Sequence, residues 1–160
     1  MIEAGKGRAV ARNLEKFEGV NYNEIAKLLI KTEQGEAVAR NLEKFGRLNA
    51  EIAKLLIEAG QGQAVAWNLE KFEGVNHNEI AKLLIEAGQG RAVAENLEEF
   101  ERLNAEIAKL LIEAEQGEAV AENLENFEGL NEEIAELLIE AGYRKEVKAI
   151  LEKNRDFFSN

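Results

Sequence analysis

Apolar positions in this chain come in short clusters at helical spacing, and the clusters repeat. The phrase A-V-A-x-N-L-E begins at Ala9, Ala37, Ala64, Ala92 and Ala119, in steps that alternate between a longer and a shorter form. A phenylalanine follows each at the same offset (Phe17, Phe45, Phe72, Phe100, Phe127), then E-I-A-x-L-L-I, anchored by Ile25, Ile52, Ile80, Ile107 and Ile134. Ile80, Leu83, Leu84 and Ala87 stand at i, i+3, i+4 and i+7, the spacing of one helix face, with Ala81 and Ile85 widening the stripe. Val65, Leu69 and Phe72 form a second such face, flanked by Ala64 and Ala66, whose small side chains allow close helix approach. The pattern predicts a helix A over 78–87 and a helix B over 61–73, with the same pair in each copy.

The breaks between clusters carry start and stop signals. Asn76 with Glu79, and Asn21 with Glu24, have N-cap and N3 spacing, the arrangement of a capping box. In the shorter connections the glutamate lies only two places after Asn49, Asn104 or Asn131. Gly60, Gly88 and Gly142 suit the left-handed position that ends a helix. A second glycine, present in all five copies (Gly7, Gly35, Gly62, Gly90, Gly117), is read as allowing a tight turn into helix B. Connections alternate between F-E-G-V-N-x-N-E-I, from Phe17 and Phe72, and a form one residue shorter, from Phe45 and Phe100, so the larger period is a 55-residue pair.

One unit of this length buries too little to fold alone, and stacking on its neighbours supplies the missing core. The expected class is all-α: an α-solenoid of five 27/28-residue two-helix repeats plus a C-terminal capping helix, about eleven short helices in one domain over 1–160. Residues 1–5 match the tail of a truncated repeat, 6–142 hold the five helix-turn-helix repeats, and 143–160 form the cap. Arg144, Lys145, Lys148, Lys153 and Arg155 make that cap polar, with Phe157-Phe158 folding back on it.

Composition narrows the chemistry. There is no proline, as suits a chain that is nearly all helix with short connections. There is no cysteine, so disulfides and thiolate metal sites are excluded. With one histidine (His77) and one serine (Ser159), no nucleophile–base pair can be assembled, so no enzyme is expected. His77 reads as an exposed residue at a helix start. The single aspartate cannot build a calcium loop, and Gly5-Lys6-Gly7 or Gly88-Gln89-Gly90 lacks the strand and the G-K-[ST] of a phosphate loop. No cofactor and no metal are expected. No apolar run approaches the ~18–20 residues of a membrane span, and nothing marks export, so a cytoplasmic location follows by default.

The net charge of −11 is unevenly spread. Residues 1–80 carry 11 Lys and Arg against 12 Glu, whereas residues 81–160 carry 9 against 19 acids. From Glu95 to Glu140 only Arg102 and Lys109 interrupt the acid. Such a surface repels phosphate backbones and favours a basic partner.

Val75 to Val93 reads V-N-H-N-E-I-A-K-L-L-I-E-A-G-Q-G-R-A-V, and it resembles the repeat of transcription-activator-like effectors and their bacterial relatives, approximately L-T-P-E-Q-V-V-A-I-A-S-x-x-G-G-x-Q-A-L. The likeness covers about two-thirds of each unit without a gap; helix B is then roughly two turns shorter and lacks the family's proline. It implies a right-handed solenoid of helical hairpins. In that family the two residues before the glycine read bases. The matching pairs here are Lys31-Thr32, Glu58-Ala59, Glu86-Ala87, Glu113-Ala114 and Glu140-Ala141, so four of five place a carboxylate where a phosphate backbone would lie. The glycine itself becomes Glu33 and Glu115 in two copies, and the phosphate-facing Lys-Gln pair becomes Gly followed by Arg8, Glu36, Gln63, Arg91 or Glu118. The DNA-reading chemistry does not carry over, and fold alone does not fix function. A weaker resemblance links Glu51 to Gly60 with the second helix of ankyrin repeats, without their T-P-L-H turn or their longer period.

Two sets of positions stand out. Asn13, Asn41, Asn68, Asn96 and Asn123 recur about 60° off the core face. They are expected to form a structural ladder, each amide bonding a neighbouring connection. The residue before each varies: Arg12, Arg40, Trp67, Glu95 and Glu122, on the outer surface. These five are the candidate partner contacts, with Trp67 as an exposed aromatic anchor. The leading expectation is a non-catalytic scaffold binding a protein or peptide, basic in character, through its concave face or its acidic C-terminal half. The alternatives are a nucleic-acid-binding array, for which Lys6, Arg8, Arg12 and Arg40 supply the basic cluster, and an engineered or excised array without activity of its own. Self-association through the uncapped first repeat is a further expectation.

Overall fold

The computed structural model describes residues 6–158; the expected truncated repeat, Met1 to Gly5, and Ser159 lie outside the described residues. Among the described residues, twelve α-helices are joined by short turns, and strand is confined to four two-residue pieces. The class is all-α and solenoid-like. The helices gather in two compact units, Met1–Asn76 and His77–Asn160.

The first unit holds α1 (Gly7–Arg12), α2 (Tyr22–Lys31), α3 (Gly35–Ala39), α4 (Leu42–Phe45), β1 (Leu48–Asn49), α5 (Ala50–Glu58), α6 (Gly62–Trp67) and β2 (Phe72–Glu73). Here α2 packs on α3 and α5, α1 on α3, and α5 on α6. The second holds α7 (His77–Glu86), α8 (Gly90–Ala94), β3 (Leu103–Asn104), α9 (Ala105–Glu113), α10 (Gly117–Glu122), β4 (Phe127–Glu128), α11 (Glu132–Glu140) and α12 (Arg144–Lys153). In it α7, α9 and α11 pack in series, with α8, α10 and α12 each against its hairpin partner.

Helix B is shorter than its apolar pattern predicts, and the cause is the repeated asparagine. The side-chain amides of Asn13, Asn41, Asn68, Asn96 and Asn123 donate to the carbonyls of Ala9, Ala37, Ala64, Ala92 and Ala119 at 2.7–2.9 Å. Their backbone N–H groups turn to the residue three back instead, for example Asn68 to Val65 at 3.1 Å. The side chain thus satisfies the carbonyl that its own backbone N–H would have used in a continuing helix, and the α-helix stops there. Leu69–Lys71 continues as a 3-10 turn, as do Leu14–Lys16 and Leu124–Asn126. The expected ladder between repeats is therefore corrected: these amides close their own helices. In the second copy the remainder after the break is α4, which raises the helix number above the eleven expected.

Links between repeats come from elsewhere. The extra residue of the long connection falls in the first turn of helix A, and it places two side chains over the next copy. Asn23 Oδ1 accepts from Asn49 N, and Asn78 Oδ1 from Asn104 N, both at 2.8 Å. Tyr22 meets Phe45 edge-on at 6.4 Å, and His77 meets Phe100 at 6.0 Å. His77 Nδ1 also accepts from Glu101 N at 2.7 Å, so the half-buried histidine is an anchor rather than the exposed terminal residue expected. The connection that is clamped pairs in parallel with the one after it, Leu48 with Phe72 and Leu103 with Phe127. The asparagine bond, the ring contact and the strand pairing all recur at the period of the repeat pair, so the long copy clamps the short copy that follows.

Helix A is capped in both connection forms. Asn21 accepts from the N–H groups of Asn23 and Glu24, whereas Asn49, Asn104 and Asn131 accept from Ile52, Ile107 and Ile134. The short forms keep the N-cap and do without a glutamate at N3. The buried stripe of α7 is Ile80, Ala81 and Leu84, with Leu83 half-buried and Ala87 exposed. It is turned towards Ala81 from the face of Ile80, Leu83, Leu84 and Ala87, because helix A is covered on that flank.

The two glycines of each turn have different reasons. The first sits at positive φ (76° at Gly60, 73° at Gly88), and Glu33 and Glu115 are forced into the same region at 60° and 61°. The second is the first residue of helix B, and what it provides is clearance. A Cβ on Gly117 would stand 2.9 Å from Tyr143 Cε2, and one on Gly7 would meet Gln34, whose Oε1 accepts from Gly7 N. A Cβ on Gly90 would meet Ala114 and Ile85 only at 3.6 Å, an ordinary contact. At Gly7 and Gly117 the expected role of allowing a tight turn is corrected to room for the close approach of the following turn.

These backbone positions set expectations for stability. Glu33→Gly and Glu115→Gly relieve left-handed strain of about 1–2 kcal/mol, less the extra unfolded-state freedom of glycine, so each should raise stability by roughly 0.5–1 kcal/mol in thermal or urea melts. An unchanged or lower midpoint would contradict the strain. Gly117→Ala should cost on the order of 1–3 kcal/mol through overpacking against Tyr143. The same change at Gly90 should lie within about 0.5 kcal/mol of the parent or stabilise it. Equal effects at the two sites would refute the clearance account.

Candidate functional site

In the third copy Val65 and Ala66 of α6, with Leu69 and Phe72 beyond its end, are all buried and supply that copy's share of the core. On an α-helix the residue two after the buried valine points away from that core. This places Arg12, Arg40, Trp67, Glu95 and Glu122 in solvent, as expected. Trp67 is 64% exposed, the most exposed of the large hydrophobic side chains among the described residues.

Three of the five candidate contacts line clefts. In the first unit Arg12 and Arg40 come together with Arg8 around a cleft of about 340 Å³, floored by Ala37. Glu36, one turn before Arg40, bridges two of the guanidiniums: Arg40 at 2.6 Å and Arg8 at 3.0 Å. The hydrogen bond from Arg8, with the charges of Arg40 and Arg8, holds the Glu36 carboxyl below the usual carboxylate range. Among the described residues no ion pair reaches the Arg12 guanidinium. Lys44 beside it donates to the Arg12 carbonyl and lies 3.9 Å from Glu15.

In the second unit Glu122 lines a cleft of about 440 Å³ between α10 and α12. Glu125 and Glu146 face it too, with Lys153 at its rim and Leu124 and Ile150 as apolar lining. Glu95 instead pairs with Arg91 one turn earlier. Trp67 lines neither cleft. The basic cluster anticipated from Lys6, Arg8, Arg12 and Arg40 is thus assembled around three arginines, with Lys6 outside the cleft lining.

Helix A carries a different row. Lys27 pairs with Glu51, Lys82 with Glu106 at 2.6 Å, and Lys109 with Glu133, each joining one helix A to the next. The carboxylate hydrogen bond raises each of these lysines above its ordinary value, and Lys27 likewise lowers Glu51. All three pairs have the same sequence separation, so the row belongs to the stacking rather than to a partner. Exposed pairs of this kind contribute little individually.

At the N-terminal end Phe17, Val20 and Leu28 are 42, 38 and 43% exposed, whereas Phe45 and Leu48, which match Phe17 and Val20 in the next copy, are at 1%. At the other end α12 packs on α10 and α11. Val147 is its buried residue, its basic side chains are exposed, and Phe158 is buried with Phe157 edge-on at 5.2 Å. Among the described residues no helix is long and apolar enough to cross a membrane. Comparison with protein-family models, curated proteins and solved structures finds no match to this chain.

Glu36 gives the site a pH signature. Its carboxyl is depressed in the folded state, so its contribution is present above the ordinary value of 4.5 and is lost as pH falls through the folded value. The stability difference between the parent and Glu36→Gln should therefore be greatest near pH 7 and shrink below about pH 4.5 in urea melts. A difference that stays constant down to about pH 3 would show that Arg8 and Arg40 do not act on this carboxylate.

Proposed function

We propose that the protein is a non-catalytic helical-repeat scaffold that binds a protein or peptide along the exposed face of its B helices. The observation that carries this reading is Trp67, a large aromatic left 64% exposed at a position where the fold asks for nothing. Arginine and glutamate stand at the same repeat position in other copies, so stacking does not require an indole there. Leaving one in water gains nothing for folding, and an aromatic of this kind is the usual centre of a contact surface. Clefts on the B helices add polar recognition, with guanidiniums in the first unit and carboxylates in the second.

A nucleic-acid array is disfavoured on the same observations. Exposed Glu58, Glu86, Glu113 and Glu140 end the A helices at the turns, and the chain carries −11 overall. A phosphate backbone following the turns of the second unit would meet Glu86, Glu113 and Glu140 in turn.

Peptides selected by display against the immobilised protein would test the scaffold reading. Selected peptides should shift Trp67 emission, and Trp67→Ala should weaken them about tenfold or more, as expected of an interface anchor. Labelled duplex DNA and single-stranded RNA should show no anisotropy change at ~50 mM salt, where phosphate contacts are strong. Tight nucleic-acid binding that falls steeply towards ~200 mM salt, unaffected by Trp67→Ala, would overturn the proposal.

A further inference from the structure

We propose that the cleft formed by Arg8, Arg12 and Arg40 binds a phosphate monoester, carried on a phosphorylated side chain of the peptide partner. The inference rests on the peptide-binding reading above and adds the chemistry of one subsite.

Charge is the first ground. Three guanidiniums line the cleft, and the one carboxylate paired with them, Glu36, offsets one charge and leaves two. Beyond the lining, Lys44 and Glu15 offset one another, while Glu33 and Glu43 line the neighbouring hollows beside Arg8 and Arg40. A phosphorylated serine or threonine carries about −1.5 to −2 at neutral pH, close to full compensation. A carboxylate or a phosphodiester brings only one charge, and a polyanion would be repelled by the acidic remainder of the chain.

Geometry is the second. Arg8 and Arg40 are each paired with the same carboxylate, one oxygen apiece, which turns both guanidiniums towards one another beside the cleft. Arg12 lines the cleft with no acidic partner of its own among the described residues. Planar guanidiniums bind phosphate oxygens two at a time, which suits them to a site of about 340 Å³ open on one side.

The third ground is what the other copies do without. At the places of Arg8 and Arg12, later copies carry Gln63 and Trp67, Arg91 and Glu95, or Glu118 and Glu122. Stacking is satisfied by all of these, and converging like charges oppose folding slightly. Arg8 and Arg40 also serve the fold through Glu36, so it is the charge of Arg12, unpaired among the described residues, that answers to something else.

Titration calorimetry would use a defined probe, the pentapeptide acetyl-Gly-Gly-phosphoserine-Gly-Gly-amide, with its serine and glutamate counterparts, inorganic phosphate and a short DNA duplex beside it. The phosphopeptide should bind saturably and more tightly than all four. Arg12→Gln should weaken it roughly 10- to 100-fold, the range for one lost charge-assisted contact. Glu36→Gln, which removes the bridging carboxylate, should tighten it. Affinity should fall as the phosphate gains a proton near pH 6, where the Glu36 carboxyl, held below its ordinary value by Arg8 and Arg40, does not change charge.

Equal binding of the serine peptide, or no effect of Arg12→Gln in a variant that melts like the parent, would overturn the proposal. So would inorganic phosphate or the duplex binding as tightly as the phosphopeptide. Failure of the phosphopeptide with Trp67-dependent peptide binding intact strikes the subsite alone, and the reverse pattern strikes the scaffold reading.

Discussion

A single helical hairpin of this repeat has no interior, so every apolar side chain it carries must find cover on the next hairpin. That single constraint fixes how closely successive turns must approach, and the rest of the molecule is arranged around it. The second glycine of a turn gives room where a Cβ would stand in the next turn, as at Gly7 against Gln34 or Gly117 against Tyr143. Val38, Ile52 and Leu56 are then fully buried although each belongs to a short helix. Helices this short would be marginal in isolation, and tertiary cover supplies what propagation along the helix cannot.

Close approach also sets where polar groups can go. A helix ended so early leaves carbonyls to be satisfied close to the core, and Asn96, at 6% exposure, is buried for that purpose. Its amide takes the Ala92 carbonyl and stops the helix there. Asn23 and Asn78 work in the opposite direction, reaching out of one copy to the backbone of the next. The same residue type does two jobs, distinguished by whether it stands where a helix closes or where one opens.

Much of this is legible in the sequence, and what is not has an identifiable cause. Repeat period, helix pairs, the basic cap and the outward position of Trp67 all follow from spacing, because burial periodicity is a property of single helices. The break at Asn68 is hidden, since apolar residues continue at helical spacing through Leu69 and Phe72 while the hydrogen-bonding pattern changes beneath them. The inter-repeat clamp is visible only as an unexplained alternation of connection length. That extra residue carries Asn23 and Tyr22, or Asn78 and His77, across to the following copy. Periodicity reports which way a side chain points, not what it touches, so the role of His77 and the pairing of Leu48 with Phe72 could not be read from it.

The same distinction separates the arginine cleft from the lysine rows. Lys27, Lys82 and Lys109 each meet a glutamate at the matching place in the next helix A, so their charges are balanced by the stacking that positions them. Arg8, Arg12 and Arg40 are brought together by that stacking as well, since α1 lies on α3, yet a single carboxylate stands among the three. A repeat protein can place identical scaffolding under unlike side chains, and imbalance at an otherwise balanced position is where its surface departs from the needs of its core. In this molecule that imbalance is positive on a chain that is acidic overall, which is the reverse of what solubility alone would select.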